Sequence, residues 1–242
     1  GKIINSYNAC KYSMPMLTKI HKFSVFLNDI KEQKSKFIKC KKNIKFKNLN
    51  FSFDNKKNVL EDCNIDISMG DKIGIFGYSG SGKTTLINLI SGLIKKTKGK
   101  IFIDGVERSN FIISNLSVVS QNPLFINDTI KNNLNFVLNE NSRSNFQIHS
   151  VLDQLSLSKT INDLENGIDT VIGEKGSKLS GGQLQRLNIA RAILKKPDIL
   201  ILDEATNALD KKTEKHILKY IFKAFKNKIV IIISHDSNLL KL

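Results

Sequence analysis

One glycine-rich segment of the sequence carries residue types that are suited to holding phosphate. It reads Gly77-Tyr78-Ser79-Gly80-Ser81-Gly82-Lys83-Thr84, which fits the pattern GxxxxGK[ST]. The glycines let the backbone curl until several N–H groups point at one anion, and a helix that follows adds its positive end. Lys83 offers a charge to the β- and γ-phosphates, and Thr84 offers a hydroxyl to Mg²⁺. The segment therefore predicts binding of a nucleoside triphosphate.

Two neighbouring carboxylates, Asp203 and Glu204, follow an apolar run at residues 199–202. If that run is a strand of a parallel sheet, its carboxyl end lies where ligands bind in such sheets. Asp203 is then placed to hold Mg²⁺ through water, and Glu204 to orient or deprotonate an attacking water. In isolation the Asp-Glu pair is weak evidence for such a site, because acidic residues also cap helices that follow strands. Its position downstream of the phosphate loop and of residues 179–183, which read LSGGQ, favours triphosphate hydrolysis.

A third segment, Leu179-Ser180-Gly181-Gly182-Gln183, spells LSGGQ between the first two. Ser180 is expected to cap the next helix, so that Gly181 and Gly182 present backbone N–H groups. Arg186 and Arg191 on that helix add positive charge. Together these groups predict a second anion site.

Several short apolar runs are expected to form the sheet that positions these residues. The run at 73–76 leads straight into the phosphate loop, and a helix is predicted over 84–93. Strand, glycine loop and helix is the context that a phosphate loop requires. Because continuous apolar strands separated by helices are buried on both faces, they indicate an α/β fold with a parallel sheet. The further strands are predicted at 116–120, 199–202 and 229–233.

The remaining chain divides into an antiparallel part and a helical part. Alternating apolar residues predict strands over 44–53 and 59–68, and a hairpin is expected to turn at Asp104-Gly105. Residues 127–196 have a mainly helical pattern, and another helix is expected over 211–225.

The composition is that of a globular protein. The chain has 242 residues, 40% of them hydrophobic, which suffices for one large domain or a domain with a subdomain. Cys10, Cys40 and Cys63 show no CxxC spacing, which favours ordinary thiols in a reducing compartment. No apolar run reaches the length of a membrane span and no signal peptide is evident. Since Gly1-Lys2 is not a translation start, we expect a piece of a longer protein.

The net charge is +16, from 38 basic and 22 acidic residues. Nucleic acid and the acidic inner face of a membrane are both partners that such a charge can attract. Lysine, asparagine and isoleucine are abundant along the whole sequence, however, and no nucleic-acid recognition module is recognisable. We therefore interpret the charge as a compositional bias and expect no nucleic-acid partner.

The order of these motifs resembles the ATP-binding cassette of ABC transporters over about residues 44–240. The resemblance implies a P-loop NTPase (RecA-like) core with a parallel sheet, an N-terminal antiparallel β-subdomain and an inserted α-helical subdomain at about 122–197. Residues 44–242 then form the ABC ATP-binding domain, whose C-terminal end is expected to be truncated. Residues 1–43 would be the cytosolic end of the last transmembrane helix and a linker. Helical spacing up to about residue 36 and a lysine-rich stretch at 31–42 suit that assignment.

The resemblance also implies roles that spacing alone leaves unassigned. Gln121 matches the glutamine that contacts Mg²⁺ or the attacking water, and His235 matches the switch histidine that bonds the γ-phosphate. Phe53 matches the aromatic that stacks on adenine, although an ordinary strand aromatic would look the same. The run Asn207-Ala208-Leu209-Asp210 resembles the D-loop, which usually begins with serine.

The expected site thus has three groups of residues. The catalytic residues are Lys83, Gln121, Glu204 and His235. The Mg²⁺ ligands are Thr84, Gln121 and Asp203. The residues expected to bind ATP are Phe53, Gly77, Tyr78, Ser79, Gly80, Ser81, Gly82, Lys83, Thr84, Thr85, Gln121, Ser180, Gly181, Gly182, Gln183 and Asp210.

The resemblance implies partners as well. The LSGGQ segment of such a cassette closes over the ATP of another cassette, so a head-to-tail dimer of identical cassettes around two ATP molecules is expected. Residues 170–176 and 121–130 resemble exporters, in which the former loop touches coupling helices of the transmembrane domain. This implies a place at the cytoplasmic face of the inner or plasma membrane. Residues 7–15 resemble the connector of exporters that flip lipid-linked oligosaccharides, while peptide, protein and lipid cargo stay open.

Two alternatives stay open at this point. A soluble ABC ATPase acting on nucleic acid or the ribosome shares the phosphate loop and LSGGQ, but it is expected to lack the segment at 170–176 and to carry coiled-coil or second-cassette insertions. An inactive regulatory cassette would bind ATP without turning it over. The presence of Glu204 and His235 argues against the inactive cassette.

Overall fold

The computed structural model describes residues 35–53, 57–78, 80–138 and 145–235. The helical spacing noted before residue 35, the connector-like residues 7–15 and Ser79 of the phosphate loop lie outside these ranges. Within the described ranges, none of the helices has the length and apolar character needed to cross a bilayer.

Ten strands and six helices can be followed through these residues in chain order. The first half contains β1 (Lys36–Ile38), β2 (Asn43–Ser52), β3 (Asn58–Ser68), β4 (Lys72–Phe76), α1 (Lys83–Ser91), β5 (Lys98–Ile103), β6 (Val106–Arg108), β7 (Phe111–Ile113) and β8 (Leu116–Val119). The second half contains α2 (Ile130–Asn135), α3 (Asn145–Gln154), α4 (Ser158–Asn162), α5 (Gly181–Leu194), β9 (Ile199–Asp203), α6 (Lys211–Ala224) and β10 (Ile229–Ser234).

Four parallel strands form the central sheet, in the order β4-β10-β9-β8. Alternate residues of β9 enter two different apolar clusters. Ile199 and Ile201 pack on the side of α1, whereas Leu200 and Leu202 pack on the side of α5 and α6. Since both faces of the strand are buried, a continuous apolar sequence is what it requires. The predicted α/β fold with a parallel sheet covered on both faces is confirmed.

A second, antiparallel sheet has the strand order β3-β2-β5-β6. Its inner residues, such as Ile44 and Ile101, share one apolar cluster with α1. The turn between β5 and β6 is Asp104-Gly105, with φ angles of 52° and 80°, which suits the positive-φ turns that join tight hairpins. The predicted hairpin is confirmed. This sheet places the end of β2, with Phe53 after it, beside α1.

The described end of the predicted linker is part of the fold. Instead of a linker, residues 36–38 form β1, which pairs in parallel with β7. Cys40 is fully buried, its N–H donates to Asn115 Oδ1 at 3.2 Å, and its carbonyl accepts from Asn115 Nδ2 at 2.8 Å. The lysine-rich sequence did not predict this strand. The pairing involves only three residues and joins backbone groups, so it leaves no pattern in the side chains.

The helical pattern predicted for residues 127–196 is confirmed. α2, α3 and α4 occupy this stretch together with two short 3₁₀ turns at Gly167–Asp169 and Glu174–Gly176, and α5 ends it. Apolar side chains of these helices join the cluster on one face of the central sheet. The helical part therefore packs on the sheet through α5, whose first residues belong to the LSGGQ segment.

Candidate functional site

A cavity of about 570 Å³ opens where β4, β9 and β10 end. This is the position expected for a ligand site in a parallel sheet. Apart from Val59, every lining residue is one that the sequence predicts for the site. The lining consists of Phe53, Val59, Gly80, Gly82, Lys83, Thr84, Thr85, Gln121, Asp203, Glu204 and His235.

The phosphate loop joins the end of β4 to the start of α1. Gly82 precedes the helix with φ 89°, and a Cβ at this position would lie 3.1 Å from Val59 Cγ1. A positive φ in so tight a place favours glycine over every other residue. Because glycine has no side chain to cap the helix, the first N–H groups of α1 stay available to an anion.

The Lys83 side chain bonds back to the first residues of the phosphate loop. Its Nζ donates hydrogen bonds to the carbonyl oxygens of Gly77 at 2.8 Å and Tyr78 at 2.9 Å. An ammonium group carries three donors, so one more is available to a phosphate oxygen. The lysine is thus held by the loop that it helps to shape, with its charge at the cavity.

The predicted catalytic side chains converge on Glu204. Its Oε1 lies 2.7 Å from His235 Nε2, and its Oε2 accepts a hydrogen bond from Gln121 Nε2 at 3.0 Å. The three residues follow β9, β10 and β8, which are neighbours in the sheet. The Glu204 side chain is 15% exposed, so one face of the carboxylate still reaches the cavity. This is the placement that a base for an attacking water needs.

Asp203 ends β9 beside the phosphate loop. Burial raises the pKa of its carboxyl group, the charge of Glu204 raises it further, and the charge of Lys83 partly offsets both. A cation at this place would stabilise the carboxylate in the same way as Lys83 does. The electrostatic setting therefore suits a bound metal ion.

The donor atoms at this place fit Mg²⁺. Asp203, Thr84 and Gln121 line one cavity and all offer oxygen, the ligand atom that Mg²⁺ prefers. In the described part of the chain no three His, Cys, Asp or Glu side chains are grouped as a metal cage. Mg²⁺ commonly binds through one or two carboxylates together with substrate phosphates, so this donor set is sufficient.

Phe53 lies at the rim of the cavity. Its ring contacts Phe51 edge-to-face, with centroids 4.8 Å apart and planes at 88°. The Phe53 side chain is 73% exposed, which leaves ring surface free for a planar ligand. The exposed ring is compatible with the predicted stacking on adenine.

The LSGGQ segment lies outside this cavity. Ser180 caps α5 as predicted, since its Oγ accepts from the N–H of Gln183 at 3.3 Å. Gln183 Oε1 in turn accepts from the N–H of Ser180 at 2.7 Å, which completes a capping box. Gly181 is exposed, and a Cβ there would meet nothing within 4 Å. The helix start is therefore open to an approaching group.

The two arginines of α5 bind backbone carbonyl oxygens, a role that the sequence did not predict. Arg186 donates to the carbonyl oxygens of Leu155 and Ser156, at 3.4 and 2.7 Å. Arg191 donates to the carbonyl oxygen of Leu124 at 2.6 Å and stacks over Phe125. The guanidinium groups connect α5 to neighbouring loops, and Arg186 Nε also donates to the carbonyl oxygen of Gly182 within LSGGQ at 3.2 Å. Their contribution to a second anion site stays a prediction.

Other predicted residues lie beside the cavity rather than in its lining. Gly77 and Ser81 belong to the phosphate loop, and Tyr78 is 90% exposed. Asp210 caps α6, where its carboxylate accepts from the N–H groups of Lys212 and Thr213 at 3.1 and 3.0 Å. The role of Asp210 toward ATP stays a prediction.

Sequence reasoning missed one contact at the site. Asn207 Nδ2 donates to Glu204 Oε2 at 3.2 Å, so a third side chain reaches the same carboxylate. Its position three residues after Glu204 is the only sequence signal that could have indicated the contact.

Comparisons with known proteins identify the family. Residues 60–207 match the family described as ABC transporter. The chain is 40% identical over 228 residues to the ATP-dependent lipid A-core flippase of Wigglesworthia glossinidia brevipalpis, covering 90% of this chain and 39% of that protein. It is 39% identical over 189 residues to the mitochondrial iron-sulfur clusters transporter ATM1 of Debaryomyces hansenii, and the match covers 76% of this chain and 27% of that protein.

The fold gives the same result. A solved structure of a bacterial Atm1-family ABC exporter with ATP bound superposes with a TM-score of 0.76 and 30% identity, covering 84% of this chain and 36% of that one. The chain therefore spans about two fifths or less of the length of these relatives. It belongs to the ABC transporter family, in which it is a nucleotide-binding domain of the kind found in exporters.

Proposed function

We propose that this chain binds ATP with Mg²⁺ and hydrolyses it to drive export through a transmembrane partner. The observation that carries the proposal is the Glu204 carboxylate, held by Gln121 and His235 at the end of the central sheet. The phosphate loop with Lys83 lines the same cavity. A base, a positive charge and a helix N-terminus thus face one space that can hold a triphosphate.

The residues divide the reaction between them. The phosphate loop and Lys83 bind the phosphates, and Phe53 stacks on the adenine. Glu204 orients the attacking water and accepts its proton at a carboxylate oxygen. Without nucleotide, His235 and Gln121 contact Glu204. With ATP bound, His235 would turn its donor to the terminal phosphate and Gln121 would turn its donor to the water. Mg²⁺, held by Thr84, Asp203 and Gln121, would neutralise charge that develops on the phosphate oxygens.

The position of LSGGQ supports a second cassette as partner. Because Ser180 and Gly181 lie outside the cavity of their own chain, they are free to contact ATP held by another copy. Two identical cassettes would then close head to tail over two ATP molecules, and hydrolysis would reopen them.

Apolar side chains support the membrane partner. Leu124, Ile126 and Phe136 are 86%, 50% and 71% exposed around the start of the helical part. Exposed apolar side chains suit a protein contact, and the partner proposed for them is the set of coupling helices at the cytoplasmic face of the inner or plasma membrane. One relative is named a lipid A-core flippase, which supports a lipid or a lipid-linked oligosaccharide as cargo, with peptide and protein as alternatives.

The test is the variant Glu204→Gln in the 242-residue chain. ATP binding should persist, whereas the hydrolysis rate should fall at least about 100-fold because the base is lost. Light scattering with ATP should show a dimer in this variant and a monomer without ATP. Hydrolysis at the wild-type rate would remove Glu204 from its assigned role. Salt-sensitive stimulation of hydrolysis by duplex DNA would support the soluble alternative instead.

A further inference from the structure

Asn207 bonds to Glu204 twice. Its Nδ2 lies 3.2 Å from Glu204 Oε2, and its backbone N–H donates to the Glu204 carbonyl oxygen at 3.3 Å. With Gln121 and His235, three side chains donate to one carboxylate. We infer that Asn207 is a positioning residue that fixes the Glu204 carboxylate in place to take a proton from the attacking water, an inference that rests on the proposed ATP hydrolysis.

The loop that carries Asn207 is fixed at both ends. Glu204 has the unusual φ of 52°, and its N–H donates to the carbonyl oxygen of Ile233 in β10 at 3.1 Å. Ala205 and Thr206 are buried. On the other side, the N–H of Ala208 donates to Gln185 Oε1 of α5 at 3.1 Å. The packed backbone, and not the nucleotide, therefore sets the position of the Asn207 side chain.

Asn207 differs from the other two donors in its surroundings. Gln121 and His235 line the cavity and have roles toward the nucleotide, whereas Asn207 is not part of the lining. When Gln121 and His235 turn their donors to the water and the phosphate, Asn207 is the one of the three that can keep its bond to Glu204. A hydrogen bond to a carboxylate is directional and comparatively strong, so it can hold the side chain in one orientation.

The length of the side chain matters for this contact. The amide nitrogen of asparagine lies two bonds beyond Cβ, whereas the hydroxyl of serine lies one bond beyond it. Since Asn207 Nδ2 reaches Glu204 Oε2 only at 3.2 Å, a serine on the same backbone would stop short of a good hydrogen bond. Residues 207–210 resemble the D-loop, which usually begins with serine in ABC cassettes. A serine at position 207 would therefore leave the Glu204 carboxylate with two side-chain donors.

The test compares Asn207→Asp, Asn207→Ser and a matched control, Asn227→Asp, which adds the same charge in the exposed turn before β10. We expect kcat to fall about tenfold for Asn207→Asp and about threefold for Asn207→Ser, with the KM for ATP changed less than about twofold. The control should hydrolyse ATP like the wild type. A rise in KM without a fall in kcat, or an unchanged kcat, would overturn the inference.

A double-mutant cycle separates this inference from the proposed function. Asn207→Asp should lower the melting temperature in the wild type, because two carboxylates then face each other, but not in Glu204→Gln, where the new amide can donate to the new carboxylate. If Glu204→Gln keeps wild-type turnover, the proposed function fails. If Glu204→Gln is inactive while Asn207→Asp keeps wild-type kcat, only the role of Asn207 fails.

Discussion

Lys83 Nζ lies 2.8 Å from the carbonyl oxygen of Gly77, six residues earlier in the chain. The ammonium group thus fixes the curvature of the phosphate loop and supplies the charge that a triphosphate needs. Both functions depend on the same cation, so a neutral side chain of similar length removes them together.

Lys83→Met should therefore weaken ATP binding at least tenfold, which corresponds to a loss of about 1.4 kcal/mol of binding free energy. Isothermal titration calorimetry with ATP measures the dissociation constant directly. Lys98→Met is the matched control, because Lys98 is exposed on β5 in the antiparallel sheet. Equal binding by the Lys83 and Lys98 variants would show that the phosphate loop is not the ATP site.

Ser180 and Thr129 allow helix capping to be separated from the second role of LSGGQ. Both side chains accept a hydrogen bond from a first-turn amide, Ser180 on α5 and Thr129 on α2. Ser180→Ala and Thr129→Ala should each lower the free energy of unfolding by about 1 kcal/mol. Only Ser180→Ala should also abolish the ATP-induced dimer of the Glu204→Gln variant.

Light scattering measures that dimer, and urea unfolding measures the stability of both variants. Loss of the dimer in both variants would mean that stability controls association. A normal dimer of the Ser180→Ala variant would argue against contact of LSGGQ with a partner's ATP.

A comparison of substitutions at Gly92 and Gly105 separates the effect of steric crowding on stability from the effect of backbone strain. Both have φ 80°, but a Cβ at Gly92 would lie 2.0 Å from the carbonyl oxygen of Phe111, whereas one at Gly105 would meet nothing within 4 Å. Gly105→Ala should lower the free energy of unfolding by about 1–2 kcal/mol, the cost of a left-handed residue. Gly92→Ala should lower it by about 1–3 kcal/mol more, because α1 and β7 must separate.

Urea unfolding of both variants measures the difference. Since Gly92 ends the helix that begins at the phosphate loop, its variant should also bind ATP more weakly. Equal stability of the two variants would show that β7 does not pack against the end of α1.

The sequence predicts those parts of the molecule whose cause is local. Residues 199–202 are apolar without interruption because β9 is buried on both faces, and the strand end then places Asp203 and Glu204 at the cavity. The pairing of β1 with β7 could not be predicted in this way. Strands of three residues are too short to show a periodicity, and the paired residues of β1 and β7 lie 75 positions apart in the sequence.

The hydrogen-bond partners of some side chains could not be predicted from the sequence either, because those partners depend on the backbone geometry. Arg186 and Arg191 look like charges for an anion, and only the packing of α5 shows that carbonyl oxygens bind them. The contact of Asn207 with Glu204 lies in a loop that begins with a positive φ at Glu204. A non-glycine residue with positive φ is uncommon, and nothing in the sequence before it indicates one.

Asp104 fastens the stretch around Cys40 to the antiparallel sheet. Burial alone would raise the pKa of the Asp104 carboxyl, but the N–H groups of Lys42, Lys41 and Asn43 outweigh it and hold this pKa below its ordinary value of 3.8. A lowered folded-state pKa stabilises the fold above the ordinary value, and the contribution is lost as the pH falls through the lowered one.

Asp104→Asn should thus lower the free energy of unfolding by about 1 kcal/mol at pH 7, and the difference from wild type should vanish in strong acid. Urea unfolding between pH 7 and pH 2 measures it, with Asp153→Asn, exposed on α3, as the control for the lost charge.

Cys40 reports on the same contact. Burial and the adjacent Asp104 raise the pKa of its thiol to about 12, so it should resist alkylation, while Cys63, which is partly exposed, should react first. Asp104→Asn should speed the modification of Cys40 by iodoacetamide, as read by mass spectrometry of the two peptides. If Cys40 and Cys63 react equally fast in the wild type, the stretch after β1 does not hold to the domain as the structure shows.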